Sequence, residues 1–242
     1  MTIEELAAEQ METLRANPYP GRGIVIGQTP DGKKMVQVYW IMGRSPNSRN
    51  RVFVEEGGEV RTAPFDASKV EDPSLIIYRC ARLLNRAHIV SNGDQTDTIF
   101  KALSGGGSFE TALRKRTFEP DAPNYTARIA GLVNLADERN DYQLAILKSI
   151  GNCPDRPARQ FFDYPAAIPG IGHLVSTYSG DGSPLPPFEG EPAPMPILND
   201  IDATRDLYWE ALNDENKVSM MVKFIDPETD EVEIRIANKN RA

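Results

Sequence analysis

RGIVIGQTPDGKKMVQVYWIM, residues 22–42, contains two strand-like apolar runs separated by a turn. β-branched and aromatic residues, which are enriched in strands, recur in both runs, over residues 22–28 and 34–42. The connection Thr29-Pro30-Asp31-Gly32 carries an Asp-Gly pair, which between apolar runs is a strong hairpin signal. The stretch therefore predicts an antiparallel β-hairpin.

The rest of the chain mixes strand-like and helix-like segments. Runs rich in β-branched and aromatic residues predict strands at residues 51–55, 59–62, 75–83, 87–90, 127–135, 142–149, 172–178, 217–225 and 231–237. Apolar residues at helical spacing predict helices at residues 3–15, 96–103, 109–115 and 203–212. Thr2 and Glu5 are expected to form a capping box on the first helix, and Asp202 to cap the last. Because strands and helices do not alternate regularly, the order favours an α+β fold with antiparallel sheets packed face to face and helices outside.

The length and composition suit one globular domain. The chain has 242 residues, of which 40% are hydrophobic, enough for a sizeable core. Residues 1–17 are predicted to be an N-terminal helical extension, and the Pro/Gly-rich residues 180–196 an exposed loop. No apolar run reaches the length of about 18 residues that a membrane span needs, and the acidic start differs from a secretory signal. We therefore expect a cytoplasmic protein that has no membrane partner.

The charge distribution favours a small anionic ligand. A formal net charge of −8 argues against a nucleic-acid partner, which usually requires a basic surface. A phosphorylated small molecule needs only a few arginines placed together, and Arg44, Arg49 and Arg51 fall within eight residues.

Other kinds of site find little support in the sequence. Cys80 and Cys153 lack the spacing of a disulfide framework or a zinc site. His88 and His173 lie far apart in apolar runs, which favours structural roles over a catalytic pair or metal ligands. The sequence contains no GxSxG or HExxH motif, and Gly105-Gly106-Gly107 lacks the context of a P-loop. We expect neither a metal nor an organic cofactor.

Three polar segments at the ends of predicted strands have the composition of binding loops. Residues 43–51 concentrate guanidinium, hydroxyl and amide groups that suit a phosphate. Residues 91–98 form a turn that leads into a helix N-terminus, where free N–H groups can hold an anion or a polar ring edge. Residues 118–128 carry Glu119, Asn124 and Arg128 in one loop. Taken alone, residues 43–51 and 118–128 are better explained as polar surface loops, and residues 91–98 can be a helix cap, but all three together favour a site.

The same segments carry a family resemblance. In chain order they are Gly21-Arg22, RSPNSRN (44–50), SNGDQTDTI (91–99) and FEPDAPNYTARI (118–129). Their order and spacing over residues 1–135 resemble the stand-alone IMP cyclohydrolase family. The resemblance implies an Ntn-hydrolase-like four-layer αββα sandwich of two mainly antiparallel sheets, without an N-terminal nucleophile. The last hundred residues contribute little to it.

The activity that this resemblance implies is the last ring closure of purine biosynthesis. In this reaction 5-formamidoimidazole-4-carboxamide ribonucleotide loses water to give IMP, as the carboxamide nitrogen attacks the formyl carbon of the same molecule. Because both reacting groups are already tethered, catalysis needs conformation, proton movement and oxyanion stabilisation, and no cofactor. A purine nucleotide is then the expected small-molecule partner and a homo-oligomer the expected assembly.

Position by position, the resemblance assigns roles to individual residues. Tyr78 and Glu119 match positions associated with proton transfer, and Arg44 is the third catalytic candidate. The substrate-binding candidates are Arg22, Ser45, Asn47, Arg49, Asn92, Gly93, Asp94, Thr96, Asp97, Asn124 and Arg128. Of these, Arg22 and Arg49 are expected at the phosphate and residues 92–97 along the base.

Two departures from the family pattern leave alternatives open. A helical extension precedes Gly21-Arg22, and one extra residue lies before Arg128, because residues 124–128 stand where the family often has Asn-Thr-Pro-Arg. The alternatives are another amidohydrolase on the same scaffold and a purine-nucleotide-binding protein without turnover.

Overall fold

Two β-sheets and a few helices account for most of the chain. The structure is a computed structural model that describes residues 1–70 and 77–240. Its strands are β1 (Gly23–Gln28), β2 (Met35–Met42), β3 (Arg51–Glu56), β4 (Glu59–Pro64), β5 (Arg79–Leu84), β6 (Ala87–Ser91), β7 (Arg128–Asn134), β8 (Tyr142–Ser149), β9 (Pro157–Tyr164), β10 (Ile171–Ser176), β11 (Ala193–Pro196), β12 (Lys217–Ile225) and β13 (Val232–Asn238). Its helices are α1 (Ile3–Ala16), α2 (Pro46–Arg49), α3 (Gln95–Ser104), α4 (Phe109–Leu113) and α5 (Ile201–Ala211).

The predicted hairpin is confirmed at the centre of the first sheet. β1 and β2 pair antiparallel, and Gly32 takes the positive φ of 71° that the turn requires. Side chains alternate between two cores: Ile24 and Ile26 point towards the second sheet, whereas Val25 points towards the helices. All of β2 is buried, because both faces of this hairpin are covered.

The strands form two antiparallel sheets. The first sheet has the order β11-β10-β1-β2-β12-β13, and the second runs β3-β4-β5-β6-β7-β8-β9. Every ladder between named strands is antiparallel. The α+β class with two mainly antiparallel sheets is therefore confirmed.

Three apolar cores define four layers. One core lies between the sheets and includes Ile24, Ile129 and Leu144. A second packs the outer face of the first sheet against α1 and α5, and a third packs the second sheet against α3 and α4. The order of layers is therefore helix, sheet, sheet, helix, since each sheet must cover both of its apolar faces.

Helix termini agree with the expectations in one case and differ in another. Thr2 and Glu5 form the expected capping box on α1. The last helix begins earlier than predicted, with Asp200 rather than Asp202 as its N-cap. Asp202 instead pairs with Arg205 and Arg235 on the surface. The prediction of Asp202 as the N-cap was therefore wrong, because either of two Asp residues near the start of the helix can cap it and the sequence does not show which one does.

The structure differs from the sequence-based expectations about strands in three places. Part of the strand predicted at residues 75–83 lies outside the described residues, and β5 begins only at Arg79, so that Tyr78 occupies a bend and not a strand. β9 was missed, because its residues are half-buried at an edge and show no clear alternation. The predicted loop at residues 180–196 contains β11, with two prolines at a sheet edge, and buries Leu185, Phe188 and Met195.

Candidate active site

Antiparallel pairing brings the three polar segments to one end of the sandwich. In the first sheet, the start of β1 lies beside the ends of β2 and β10, since Gly23 pairs with both Trp40 and Ser176. In the second sheet, the end of β6 lies beside the start of β7, where Ser91 pairs with Ala130. The loops before β1, after β2, after β6 and before β7 therefore share this end.

Buried charged and phenolic side chains from both sheets meet here. We call this group the arginine–tyrosine cluster, and electrostatic interactions connect its members: Arg22, Arg51, Tyr19, Tyr39, Tyr78, Tyr178 and Glu119.

Glu119 and Arg22 approach each other across the two sheets. Arg22 precedes β1, and its Nη2 atom lies 4.0 Å from Oε2 of Glu119, in the loop before β7. The side chain of Glu119 is only 3% exposed. Burial raises the pKa of this carboxyl group, although Arg22 and Arg128 oppose the shift. A buried carboxylate with a raised pKa is suited to accept and return a proton.

Tyr78 and Tyr39 form a hydroxyl pair in the same cluster. Their oxygen atoms are 2.8 Å apart, and both side chains are buried. Burial raises the pKa of each phenol, although Arg51 and Arg22 oppose the shift at Tyr78. A phenol that stays protonated can donate a hydrogen bond to an oxyanion as it forms.

Arg51, at the start of β3, is a cluster member that the sequence-based roles left out. Its Nε donates to the carbonyl oxygen of Ser48 at 2.7 Å, and its Nη2 to that of Met42 at 3.3 Å. Nη1 is buried and has no hydrogen-bond partner in the described residues, and burial lowers the pKa of the guanidinium. An unpaired buried cation costs free energy, which an anionic ligand group would offset. The density of arginines in residues 43–51 was the available signal.

Arg44 lies at the rim of the cluster. Its Nη1 donates to Oδ1 of Asp181 at 2.6 Å and to the carbonyl oxygen of Gly182 at 3.1 Å. The guanidinium carbon is 5.0 Å from the ring centre of Tyr19, which in turn stacks on Tyr178. The side chain is 40% exposed, so Arg44 connects the cluster to solvent and to the Pro/Gly-rich segment.

The other candidates of this loop have different surroundings. Ser45 caps α2 by accepting a hydrogen bond from the backbone N–H of Ser48. Asn47 has a buried Oδ1 without a hydrogen-bond partner in the described residues. Arg49 donates to the carbonyl oxygen of Gly43 at 2.9 Å and to Oδ1 of Asn216 at 3.0 Å. None of these contacts joins Arg49 to the cluster.

The turn after β6 is held mainly by its own hydrogen bonds. Asn92 is fully buried, donates to the carbonyl oxygen of Ala127 and accepts from the N–H of Ile129, which fastens the turn to β7. Thr96 bonds to the carbonyl oxygen of Gly93 at 3.0 Å. Both side chains therefore have structural roles in this structure, and their contact with a substrate stays a prediction.

Two carboxylates of this segment are paired with arginines. Asp94 accepts from Arg128 at 2.8 Å and also pairs with Arg116. Although burial opposes it, these two arginines lower the pKa of Asp94. Asp97 pairs with Arg82 at 2.8 Å, a contact outside the cluster.

Gly93 and Arg128 lie against each other. A Cβ atom at Gly93 would fall 2.6 Å from Nη1 of Arg128, so only glycine fits without moving that side chain. Arg128 is the first residue of β7 and is buried, with its guanidinium bound to Asp94 and Gln95. The extra loop residue thus leaves Arg128 at this end of the sandwich.

Asn124 contacts the Pro/Gly-rich segment rather than the arginine–tyrosine cluster. Its Oδ1 accepts the backbone N–H of Leu185 at 3.0 Å, which fastens the Pro/Gly-rich segment. Nearby, Thr126 lies 2.5 Å from the hydroxyl of Tyr178 and also bonds to Asp121. These contacts position the loop that carries Glu119.

Comparison with known proteins identifies the family. The sequence model of a family described as "IMP cyclohydrolase-like protein" matches residues 19–231. The chain belongs to this family. A curated protein named IMP cyclohydrolase from Methanopyrus kandleri is 27% identical over 192 residues, which cover 73% of this chain and 88% of that protein. The IMP cyclohydrolase of Methanothrix thermoacetophila is 33% identical over 48% of this chain and 58% of that protein. The IMP cyclohydrolase of Methanocaldococcus jannaschii is 28% identical over 48% of this chain and 57% of that protein.

Membership in the IMP cyclohydrolase-like family and these relatives support the function of IMP cyclohydrolase, a hydrolase, for this chain. The match includes every member of the arginine–tyrosine cluster, while α1 precedes it. A cavity of about 830 Å³ lies elsewhere, between β3, β13 and α5, and its lining includes no cluster side chain. The chemistry of the buried charges, and not cavity volume, therefore identifies the candidate site of this family member.

The described part of the chain adds two observations on ligands and membranes. Within residues 1–70 and 77–240, no group of three or more His, Cys, Asp or Glu side chains is placed to hold a metal ion. No helix within these ranges has the length and hydropathy to cross a membrane.

Proposed function

We propose that the arginine–tyrosine cluster is where this IMP cyclohydrolase closes the second purine ring, converting 5-formamidoimidazole-4-carboxamide ribonucleotide to IMP. The observation that carries the proposal is the buried carboxylate of Glu119 beside buried guanidinium groups with unpaired donors. Nε of Arg22 and Nη1 of Arg51 are buried and have no hydrogen-bond partner in the described residues. A polar anionic substrate supplies the acceptors that these donors need.

The cluster supplies the groups that the reaction requires. The carboxamide nitrogen must lose a proton, and Glu119 is the candidate to accept it. Oxygen of the formyl group gains negative charge on attack, and the hydroxyl of Tyr78 is the candidate to donate to it. The same oxygen then leaves as water, which carries one proton from the carboxamide nitrogen and one from the formamido nitrogen, as that nitrogen forms the C=N bond of the new ring. Arg22 and Arg51 stabilise the negative charge of the substrate, and Arg44 contributes from the rim.

The other candidates support this assignment to different degrees. Buried Arg128 and exposed Asp94 form an ion pair at the same end of the sandwich, where they are available to contact the base. Ser45 and Asn47 lie between β2 and β3, and Gly93 lies in the turn after β6. Arg49, Asn92, Thr96, Asp97 and Asn124 make contacts within the protein, and we propose them as supports of the loops.

Three broader properties belong to the same proposal. The αββα layers support an Ntn-hydrolase-like arrangement. We further propose a cytoplasmic location, which suits an enzyme of nucleotide synthesis, and a homo-oligomeric assembly, in which the Pro/Gly-rich segment forms a contact. Sedimentation velocity of the purified chain tests the assembly.

One assay tests the function. Purified protein is mixed with the formamido ribonucleotide, and absorbance, ammonia release and binding are followed together. Ring closure to IMP supports the proposal, and its loss in Glu119→Gln and Tyr78→Phe supports the site. Cleavage of an amide with release of ammonia or a free acid would identify a different amidohydrolase, and saturable binding without product would identify a nucleotide-binding protein.

A further inference from the structure

Tyr39 carries a buried hydroxyl group that the proposed reaction does not itself use. The side chain is fully buried in the core between the sheets, and its ring stacks on Phe53 with 5.5 Å between the ring centres. Within residues 1–70 and 77–240, the Tyr78 hydroxyl at 2.8 Å is the hydrogen-bond partner of this group. Burying a hydroxyl group in an apolar core costs free energy unless the group is hydrogen-bonded, so the Tyr39 hydroxyl depends on its contact with Tyr78.

The surroundings of the two hydroxyl groups determine which one donates. Tyr39 lies among apolar side chains, and burial raises its pKa well above the usual value for a phenol. Both hydroxyl groups interact with the positive charges of Arg22 and Arg51, but these charges oppose the effect of burial most strongly at Tyr78, where they favour electron density on its oxygen. The arrangement with the lower electrostatic energy therefore has Tyr39 donating and the oxygen of Tyr78 accepting.

This direction has a consequence for the proton of Tyr78. Since its oxygen accepts from Tyr39, the hydrogen of Tyr78 cannot point back along the same contact. It is left to point to the substrate side of the cluster. A hydroxyl that both accepts and donates is also polarised, which strengthens the bond it donates.

We propose that Tyr39 is a positioning residue for ring closure: it donates to the oxygen of Tyr78 and thereby directs the Tyr78 proton towards the forming oxyanion. This inference rests on the proposed function of Tyr78. Tyr39 itself does not touch the substrate.

The test compares Tyr39→Phe with a matched control. In Tyr39→Phe, we expect kcat to fall by roughly 3- to 10-fold, the effect of one neutral hydrogen bond, with the KM and the Kd for IMP changed less than about twofold. Tyr142→Phe is the control, because its hydroxyl is also buried between the sheets and lies 2.6 Å from Nδ1 of His173, outside the cluster. It loses a similar bond and should keep the wild-type kcat.

Two further measurements separate positioning from general stability. The double variant Tyr39→Phe/Tyr78→Phe should be no slower than Tyr78→Phe alone, because Tyr39 acts only through Tyr78. Tyrosine labelled with ¹³C at Cζ reports the titration of Tyr78 without turnover. Loss of the donor disfavours the phenolate, so Tyr78 should titrate at higher pH in Tyr39→Phe and unchanged in Tyr142→Phe.

Distinct outcomes overturn the two proposals. Wild-type kcat in Tyr39→Phe, an equal loss in Tyr142→Phe, or an unshifted Tyr78 titration rejects the role of Tyr39 and leaves the proposed function intact. Wild-type turnover in Tyr78→Phe, or no ring closure by the wild-type protein, rejects the proposed site or function. The NMR titration still decides the direction of the Tyr39–Tyr78 hydrogen bond in either case.

Discussion

Arg49 and Arg51 are two residues apart, yet their side chains have different surroundings. Arg49 ends the short helix α2 and binds Gly43 and Asn216, whereas Arg51 begins β3 and points into the cluster, where its Nη1 has no hydrogen-bond partner among residues 1–70 and 77–240. Arginine chemistry is the same at both positions. The difference in surroundings decides which one is available to an anionic substrate.

This difference predicts opposite results for the same substitution. Arg51→Met should lower kcat/KM by roughly 10- to 100-fold, since it removes a charge-assisted contact, while Arg49→Met should change it less than about twofold. Steady-state kinetics with the formamido ribonucleotide measure both, and thermal unfolding checks that each variant folds. Equal losses in the two variants would return Arg49 to the phosphate site.

Glu119 is expected to control the acidic side of the pH profile. Burial raises the pKa of its carboxyl group, and only the ionised form accepts a proton, so activity should fall as the pH decreases through this raised pKa. In Glu119→Gln, kcat should drop by roughly 10²- to 10⁴-fold and the acidic limb should disappear. The pH dependence of kcat measures this. An unchanged acidic limb in a folded variant would move the proton acceptor to another residue.

At the level of elements, α1 belongs to the sandwich although the family match begins after it. Ala7, Met11 and Leu14 are buried on one face of this helix, and Met11 and Leu14 pack in the same core as Val25 and Trp40. Residues 1–17 are thus part of the outer helical layer. Without α1, this part of the first sheet would expose apolar side chains to water.

A single substitution tests how much α1 contributes. Met11→Ala should lower the free energy of unfolding by about 2–4 kcal/mol, because it leaves a cavity in the outer core. Glu9→Ala, on the exposed face of the same helix, should change it by less than about 0.5 kcal/mol. Urea unfolding of both variants provides the comparison. Similar values for the two would mean that α1 packs only loosely.

The two sheets of the whole molecule enclose a buried lysine that donates its hydrogen bond to a backbone carbonyl oxygen. Nζ of Lys223, on β12, lies 3.4 Å from the carbonyl oxygen of Gly58, the turn between β3 and β4. Burial lowers its pKa to about 8, although Glu59 and Glu55 oppose the shift. The side chain is fully buried, so its charge is kept in the protein interior at a cost in stability.

Replacing this lysine should stabilise the protein in a pH-dependent manner. The folded-state pKa is below that of the unfolded chain, so the penalty is complete below about pH 8 and shrinks as the pH rises towards the unfolded value. Lys223→Met should therefore raise the free energy of unfolding by about 1–3 kcal/mol at pH 7 and by less at pH 10. Exposed Lys33→Met is the control. A gain that is constant between pH 7 and 10 would contradict the assignment.

Local pattern alone was enough for much of the fold. The hairpin at residues 22–42 follows from alternation and an Asp-Gly turn, and the capping box of Thr2 and Glu5 from residues three apart. These interactions lie within a few residues of each other, so a short window of sequence contains them. The antiparallel class followed from the order of such segments, and the segments of the site from their polar composition.

The edge strands and the direction of the site's side chains depended on tertiary structure. β9 and β11 are strands because β8 and β10 offer ladders to them, a reason that lies outside their own residues. Tyr39 looks like an ordinary core residue of β2 until the second sheet brings Tyr78 within 2.8 Å of it. Likewise, Arg51 rather than Arg49 enters the cluster because α2 ends between them. Burial and hydrogen-bond partners come from residues distant in the chain, so only the packed sandwich determines them.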